Sequence, residues 1–586
     1  MAKLKKRSNG ETVNLTDNMF VAKGGEGSIY IDGDTVYKHC LDGCMIPDAK
    51  LVELAVLDHP QIIVPFDVLL KGKAQTPVGY CMKAVPNAPL PLAQILPKAF
   101  REREGVTPDH MMSLVSQLMD HYRYLHSHAG YLRVDGNELN SMVTSDFSSL
   151  YEIDMNSIQT PSFEADAIMS SVRDWSVTPD ANGKWQWSKK SDWFSAAIVA
   201  WYMFTAIHPF MGFHPDHPDR KTFMVDQMKA HITVMNPKTK YPKGAVYHPF
   251  DDVIPGGKDG AYMQWFRAVL EEGKGLPAPT DFQSTLAFVA KVKEIIGSNN
   301  FAMQVIQEFG STIVGHYVSE GRQVIVTKDN IHVDHKAPLP RPTGKFRIGF
   351  SPVREIPVMA YMDGNQVRLQ NLDSQKSIRF DAQARSLMSC EGRLYLLGDN
   401  TISEINFVET ASMVMGTIKA VANIMPNATQ LFQGVAFQDM FGQRMASIFP
   451  APGHHRQVHL KELSGYRVID AKYEGNVLMV IAISKTSGQN SRFVFRFSSN
   501  WKDYDCREVE NINPAGLNFT VTNKQICISI TEEEKVEIFS SRRGPQEVKS
   551  VEDPAIVGNM RLCHSGEQTR FAHGSKLYQF SMGRKS

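Results

Sequence analysis

The sequence predicts a multidomain chain in which an α+β first half is followed by an all-β second half of propeller type. Three observations lead there. At 586 residues the chain exceeds what one ordinary hydrophobic core encloses, so two cores are expected. Hydrophobic residues make up 42%, charged residues 21% and aromatics 10%, a globular composition that excludes a mostly disordered chain. The texture changes near residue 300, from apolar residues at helical spacing to short β-branched and aromatic runs separated by tight turns.

Charge and cysteine usage narrow the function classes. Lys and Arg number 63 against 62 Asp and Glu, for a formal charge of +1, so neither a nucleic-acid wrapper nor a membrane-surface protein is expected. The seven cysteines (Cys40, Cys44, Cys81, Cys390, Cys506, Cys527 and Cys563) are scattered and odd in number, which suits reduced thiols in a cytoplasm. Cys40 and Cys44 have no second Cys/His pair at zinc-ligand spacing, so no metal is expected there. Residues 1–12 carry Lys3, Lys5, Lys6 and Arg7 without a following apolar region and read as a basic tail; no run of about 18 apolar residues suggests a membrane span.

In chain order, residues 13–85 read as short strands broken by Gly and Asp, a small lobe. A helix over about 48–57 lies within it. Residues 86–297 read as a helical lobe. Leu114, Leu118, Tyr122 and Leu125 mark one face of a helix over about 108–130, and the stretch from Phe194 to Phe204 is apolar nearly all round, predicting a buried helix. Strand-like pieces occupy 141–144 and 150–154. The segment from His208 to about Pro255 is loop-dominated, and helices are expected over 261–272 and 281–296 before a boundary at Gly297-Ser-Asn-Asn.

Residues 298–586 repeat one device, a strand, a tight turn and a strand, at Glu320-Gly, Asp363-Gly, Glu391-Gly, Phe441-Gly, Glu474-Gly, Asn523-Lys and His573-Gly. Such dipeptides supply the positive φ angles of tight hairpins. They fall irregularly, about 28 to 50 residues apart; a spacing near 40 to 50 residues suggests four-stranded blades, and six or seven blades fit. A pair of β-sandwiches is the alternative, with turns at shorter spacing.

The chemistry concentrates in the first half. Val21-Ala-Lys-Gly24-Gly25-Glu-Gly27 is a glycine-rich hairpin followed by Lys38 on the next strand; backbone amides of such a turn can approach phosphates, and the lysine can reach them from below. Asp135 and Asn140 stand five residues apart after a helix, and Asp154 ends the next apolar strand. Taken with Thr178-Pro-Asp180, Ser191-Asp192 and Ala206-Ile-His-Pro-Phe, this order of motifs resembles a divergent bacterial or viral protein kinase, over residues 13–297.

The resemblance implies an α+β bilobal fold and an ATP- and Mg²⁺-dependent serine/threonine phosphotransferase. Asp135 would be the base and Lys38 with Gly24, Gly25 and Gly27 would hold the phosphates. Asn140 and Asp154 would hold Mg²⁺, and Asp192 would brace the loop of Asp135. Glu53, or else Asp48, would pair with Lys38, and Cys81 or Met82 would border an adenine pocket. Departures from the family are Ala22 for the first loop glycine, Arg133-Val134-Asp135 for His-Arg-Asp, Asn137 for the usual lysine, and Met155-Asn156 for Phe-Gly. The alternative is a catalytically silent pseudokinase serving as a scaffold in a larger assembly, such as a viral particle.

Other groupings carry less. His208, His214 and His217 with Asp216 lie among prolines and read as loop residues rather than a zinc site. His454-His455 and the lysines at 238, 240 and 243 read as solvated loops. The propeller shows no paired carboxylates or Cys/His site and is expected to bind a protein substrate or partner, with neither nucleic acid nor membrane involved.

Overall fold

The computed structural model describes residues 2–582 apart from 166–167, 220–221, 281–294, 296–297, 299, 412 and 541–543. The chain opens in a sheet. Strands β1 (Ala2–Lys6), β2 (Thr12–Leu15), β3 (Phe20–Lys23), β4 (Gly27–Asp32), β5 (Thr35–Cys40), β6 (Pro65–Lys71) and β7 (Thr76–Lys83) form one seven-stranded antiparallel sheet in the order β2-β1-β6-β7-β5-β4-β3. Residues 1–12 are therefore not a tail. Leu4 is buried between exposed Lys3 and Lys5, a period-2 alternation that packs Leu4 with Val13, Leu15, Tyr37, Leu69 and Cys81 on one face.

Helix α1 (Asp48–Leu54) follows β5, its Leu54 packed with Leu57, Ile62, Leu125 and Tyr131. A short strand β8 (Leu90–Pro91) joins β9 (Ser141–Val143) and β10 (Leu150–Glu152) in a small sheet of order β10-β9-β8. Between them run α2 (Leu92–Ile95), α3 (Lys98–Glu104) and α4 (Pro108–Ser127). Helix α4 begins at Thr107, whose hydroxyl accepts from the His110 N–H at 3.2 Å while His110 Nδ1 accepts from the Thr107 N–H at 3.1 Å, with Pro108 at the first helical position. Helix α5 (Lys189–Thr205) is buried from Ser191 to Thr205, as its all-round apolar sequence requires. Helices α6 (Phe223–Lys229) and α7 (Ala261–Phe266) complete the layer, and a π turn follows over Arg267–Glu271. The helix expected over 281–296 lies outside the described residues, apart from Ile295.

The expectation of an α+β bilobal kinase-like domain is corrected by this inventory. Strands dominate the described residues, and among them only α4 and α5 exceed seven residues. Several segments expected to be helical lobe are turns, single bridges or short 3₁₀ pieces, because Pro, Gly and Asp recur through 160–187 and 208–260.

The second half is a propeller of seven four-stranded antiparallel sheets. Blades one to six occupy residues 313–340, 346–378, 386–423, 429–459, 466–509 and 519–552 in turn. Blade seven takes three strands from 561–582, and its outermost strand is Phe301–Glu308, paired with Lys576–Met582. The first strand of the domain thus closes the ring against the last, removing the open edge that a linear array would leave. Sheets of four strands exclude the paired sandwiches.

The two halves share a core. Ile469, Ile481, Ile483 and Ile512 of blade five and its exit pack into the same cluster as α4, α5 and α7. Arg103 of α3 forms ion pairs with Asp470 at 3.3 Å, and Glu102 pairs with Arg561 at 2.9 Å. Residues of α3 cap one end of the propeller's central cavity, which measures about 1100 Å³.

Candidate functional site

Lys38 lies on β5, paired in register with Ile29 of β4 and Tyr80 of β7. Alternation puts Val36, Lys38, Tyr80 and Met82 on one face of the sheet and Tyr37 and Cys81 on the other. Met82 therefore borders the site, packed near Val36, Val85, Tyr151 and Ile153, whereas Cys81 belongs to the opposite core.

Lys38 is 6% exposed. It donates to Glu26 Oε2 at 2.5 Å, to Asp154 Oδ1 at 3.2 Å and to Asn156 Oδ1 at 3.5 Å. Burial opposes its charge, but Asp154 and Glu26 outweigh burial and hold its pKa above the ordinary lysine value. Both carboxylates open outward, with the side chains of Glu26 and Asp154 50% and 37% exposed. Asn156 also donates to Glu26 at 3.4 Å.

Glu26 sits in the turn between β3 and β4 with Gly24 and Gly25. The Gly24 N–H donates to the Gly27 carbonyl at 2.8 Å, and the Glu26 carbonyl accepts from the Leu41 N–H at 2.8 Å. Gly27 is required by packing: a Cβ there would overlap the His39 carbonyl on β5. Gly24 and Gly25 face open space.

Asp135 lies on the loop between α4 and β9. Its carboxylate accepts from Asn137 Nδ2 at 2.9 Å, Asn140 Nδ2 at 3.2 Å and the Met169 N–H at 2.8 Å. The loop is braced from below. Fully buried Asp192, in the first turn of α5, accepts from the N–H groups of Arg133 and Val134 at 2.8 Å each and contacts His126 Nε2 at 2.9 Å. Val134 is held at φ 55°, a left-handed conformation that these bonds sustain. Arg133 is buried and paired with Glu152 at 3.2 Å, and it donates to the carbonyls of Asn140 and Ile153. Burial opposes its charge, yet Glu152 and the neighbouring acids keep its pKa raised. The Ile153 N–H donates to the Asn140 carbonyl at 3.0 Å, which joins the segments carrying Asn140 and Asp154.

The structure thus brings Lys38, Met82, Asp135, Asn140 and Asp154 to one region beside the glycine turn, and it separates Glu53 and Asp48 from it. Glu53 accepts from the Ser162 N–H at 3.2 Å, and Asp48 pairs with Arg7 at 2.9 Å. Neither carboxylate of α1 forms an ion pair with Lys38. The partner that the sequence reading missed is Glu26, although it stood inside the glycine motif. Asn156 and the Met169 N–H were missed as well, the latter because a backbone donor leaves no mark in composition.

This geometry corrects the serine/threonine phosphotransferase reading. That chemistry requires the strand lysine to be held by a carboxylate of the following helix. Here the lysine is bonded to the hairpin's own Glu26 and to Asp154. Thr178-Pro-Asp180 forms a local turn in which Asp180 accepts from the N–H groups of Asn182 and Lys184. The kinase and pseudokinase assignments are both set aside.

Among the described residues no group of three or more His, Cys, Asp or Glu is arranged to hold a metal ion by itself, and no helix is long and apolar enough to cross a membrane. His208 is buried; its Nε2 faces the Ser171 carbonyl at 2.8 Å and its Nδ1 accepts from the Phe210 N–H at 3.2 Å, which makes it a neutral structural histidine.

No protein-family model matches the chain, and no curated protein matches it. Among solved structures it is similar to Kluyveromyces lactis Hsv2, at 8% identity over 47% of this chain and 98% of that one with a TM-score of 0.30. It is also similar to Kuenenia stuttgartiensis hydrazine synthase, at 12% identity over 46% and 95%, with the same TM-score of 0.30.

Proposed function

We propose that the chain binds a magnesium-complexed nucleotide of the ATP class beside the glycine turn, and that the propeller binds a protein partner. The observation that supports this most is the buried ammonium of Lys38 beneath two outward-opening carboxylates. An anionic phosphate chain can replace Glu26 on Lys38, one anion for another, as the glycine turn shifts. The open space beside Gly25 leaves room for a phosphate to approach the backbone of the turn. Asp154 and Asn140 would supply the protein's share of a Mg²⁺ shell, which commonly takes one or two protein oxygens and fills the rest from phosphate and water. The apolar wall of Val36, Met82, Val85 and Ile153 suits a flat base. Seven free thiols suit a cytoplasmic setting.

Calorimetric titration of the full chain with Mg-ATP tests the reading. Binding is expected in the wild type and loss of at least about tenfold in affinity in Lys38→Ala and Asp154→Ala. Glu26→Gln, which removes the competing anion, is expected to tighten binding by roughly threefold or more. Absence of binding in the wild type, or tightening in Lys38→Ala, refutes the proposal.

A further inference from the structure

A blade-four hairpin meets β3 through Phe441 and Phe20, with ring centroids 4.7 Å apart, and a hairpin tip of blade five starts a chain of bonds that ends on Asp135. The tip connects two long strands of blade five, Val477–Ser484 and Asn490–Phe497. The Ser487 carbonyl accepts from the Ser171 N–H at 3.1 Å and from the Ser170 hydroxyl at 2.7 Å. Gly488 follows at φ +70°, and a Cβ on it would overlap Ser171 Oγ and press on Met169 Sδ. The tip and the segment 169–172 are therefore in contact with no space for a methyl group between them.

The segment is also anchored in the shared core by Met169 and Val172, and three further directional contacts hold it. The Ser171 carbonyl faces His208 Nε2, the Val172 carbonyl accepts from the Ser195 hydroxyl at 2.7 Å, and the Met169 N–H donates to Asp135 Oδ1 at 2.8 Å. Of the three donors that hold the Asp135 carboxylate, Asn137 and Asn140 belong to its own loop. Among the described residues Met169 is the only one from a distant segment, and the propeller tip bonds directly to that segment.

We propose that the Ser487–Gly488 tip is a positioning element for Asp135, acting through Met169, so that the propeller sets the state of the nucleotide site. The sites are coupled because one short segment bonds to both. A partner that binds blade five and draws the tip away would release Met169 and leave Asp135 with its local donors alone. This rests on the nucleotide reading for its consequence, and on geometry alone for the coupling.

Hydrogen exchange read by mass spectrometry, on the full chain, separates the two. In Gly488→Ala, exchange is expected to rise by about tenfold in peptides covering 168–174 and also 132–141, with a matching loss of Mg-ATP affinity. Exchange in peptides covering 477–484 and 490–497 is expected to stay as in the wild type, which distinguishes loss of the contact from a general failure of the hairpin to fold. Faster exchange confined to 168–174, or confined to 168–174 and the hairpin strands, overturns the coupling. If the wild type binds no Mg-ATP, the nucleotide reading fails, and the exchange at 132–141 still decides whether the tip positions Asp135.

Discussion

At the residue scale, buried polar groups here are legible as acids and bases with one assigned state. His208 is the clearest. Its two ring nitrogens are committed, Nδ1 as acceptor from the Phe210 N–H and Nε2 as donor to the Ser171 carbonyl, so a second proton breaks the first bond. Burial lowers its pKa to about 4, against an ordinary value near 6.5, and the Ser171 carbonyl offsets part of that. The unfolded chain therefore binds the proton more tightly than the folded one. The contribution of neutral His208 is complete above the ordinary value and is lost as the pH falls from there through about 4. The loss is expected to approach about 3 kcal/mol. Urea unfolding at pH 7.5 and 4.5 should show a smaller acid loss in His208→Gln than in the wild type, and equal losses would contradict the assignment. Lys38 makes the complementary point: its charge survives burial because two carboxylates face it, and the proposed ligand would exchange its own anion for Glu26.

At the element scale, the position of α1 separates this site from the arrangement its motifs resembled. Helix α1 begins at Asp48, which pairs with Arg7, and Glu53 points to the Ser162 backbone. The carboxylate that meets Lys38 instead comes from the turn between β3 and β4. Glu53→Ala and Asp48→Ala are accordingly expected to leave Mg-ATP affinity within about twofold of wild type, since neither shares a partner with Lys38. A tenfold loss in Glu53→Ala, measured by the same titration, would restore α1 to the site. The strand β1 carries a related lesson. Its lysines drew the reading of a basic tail, yet Leu4 between Lys3 and Lys5 was already the period-2 signature of a half-buried strand.

At the scale of the whole molecule, the shared core makes the two halves one cooperative unit. Ile481 is 1% exposed and lies in the cluster that includes α4 and α5. Ile481→Ala is expected to cost about 2 to 5 kcal/mol and to lower the stability of helical-layer and propeller peptides together. Calorimetry with peptide-resolved exchange would read this, and destabilisation of blade five alone would show that the halves unfold independently. The sequence by itself determined the change of texture near residue 300, the blade repeat, the buried α5 and the motif residues Lys38, Asp135, Asn140 and Asp154, because periodicity and turn chemistry are local. Only the tertiary structure decided that seven blades close through Phe301–Glu308, that Glu26 rather than Glu53 holds Lys38, and that a propeller tip reaches Asp135 through Met169. Each of these depends on distant segments meeting, and on backbone donors and acceptors that every residue carries alike, so spacing along the chain holds no record of them.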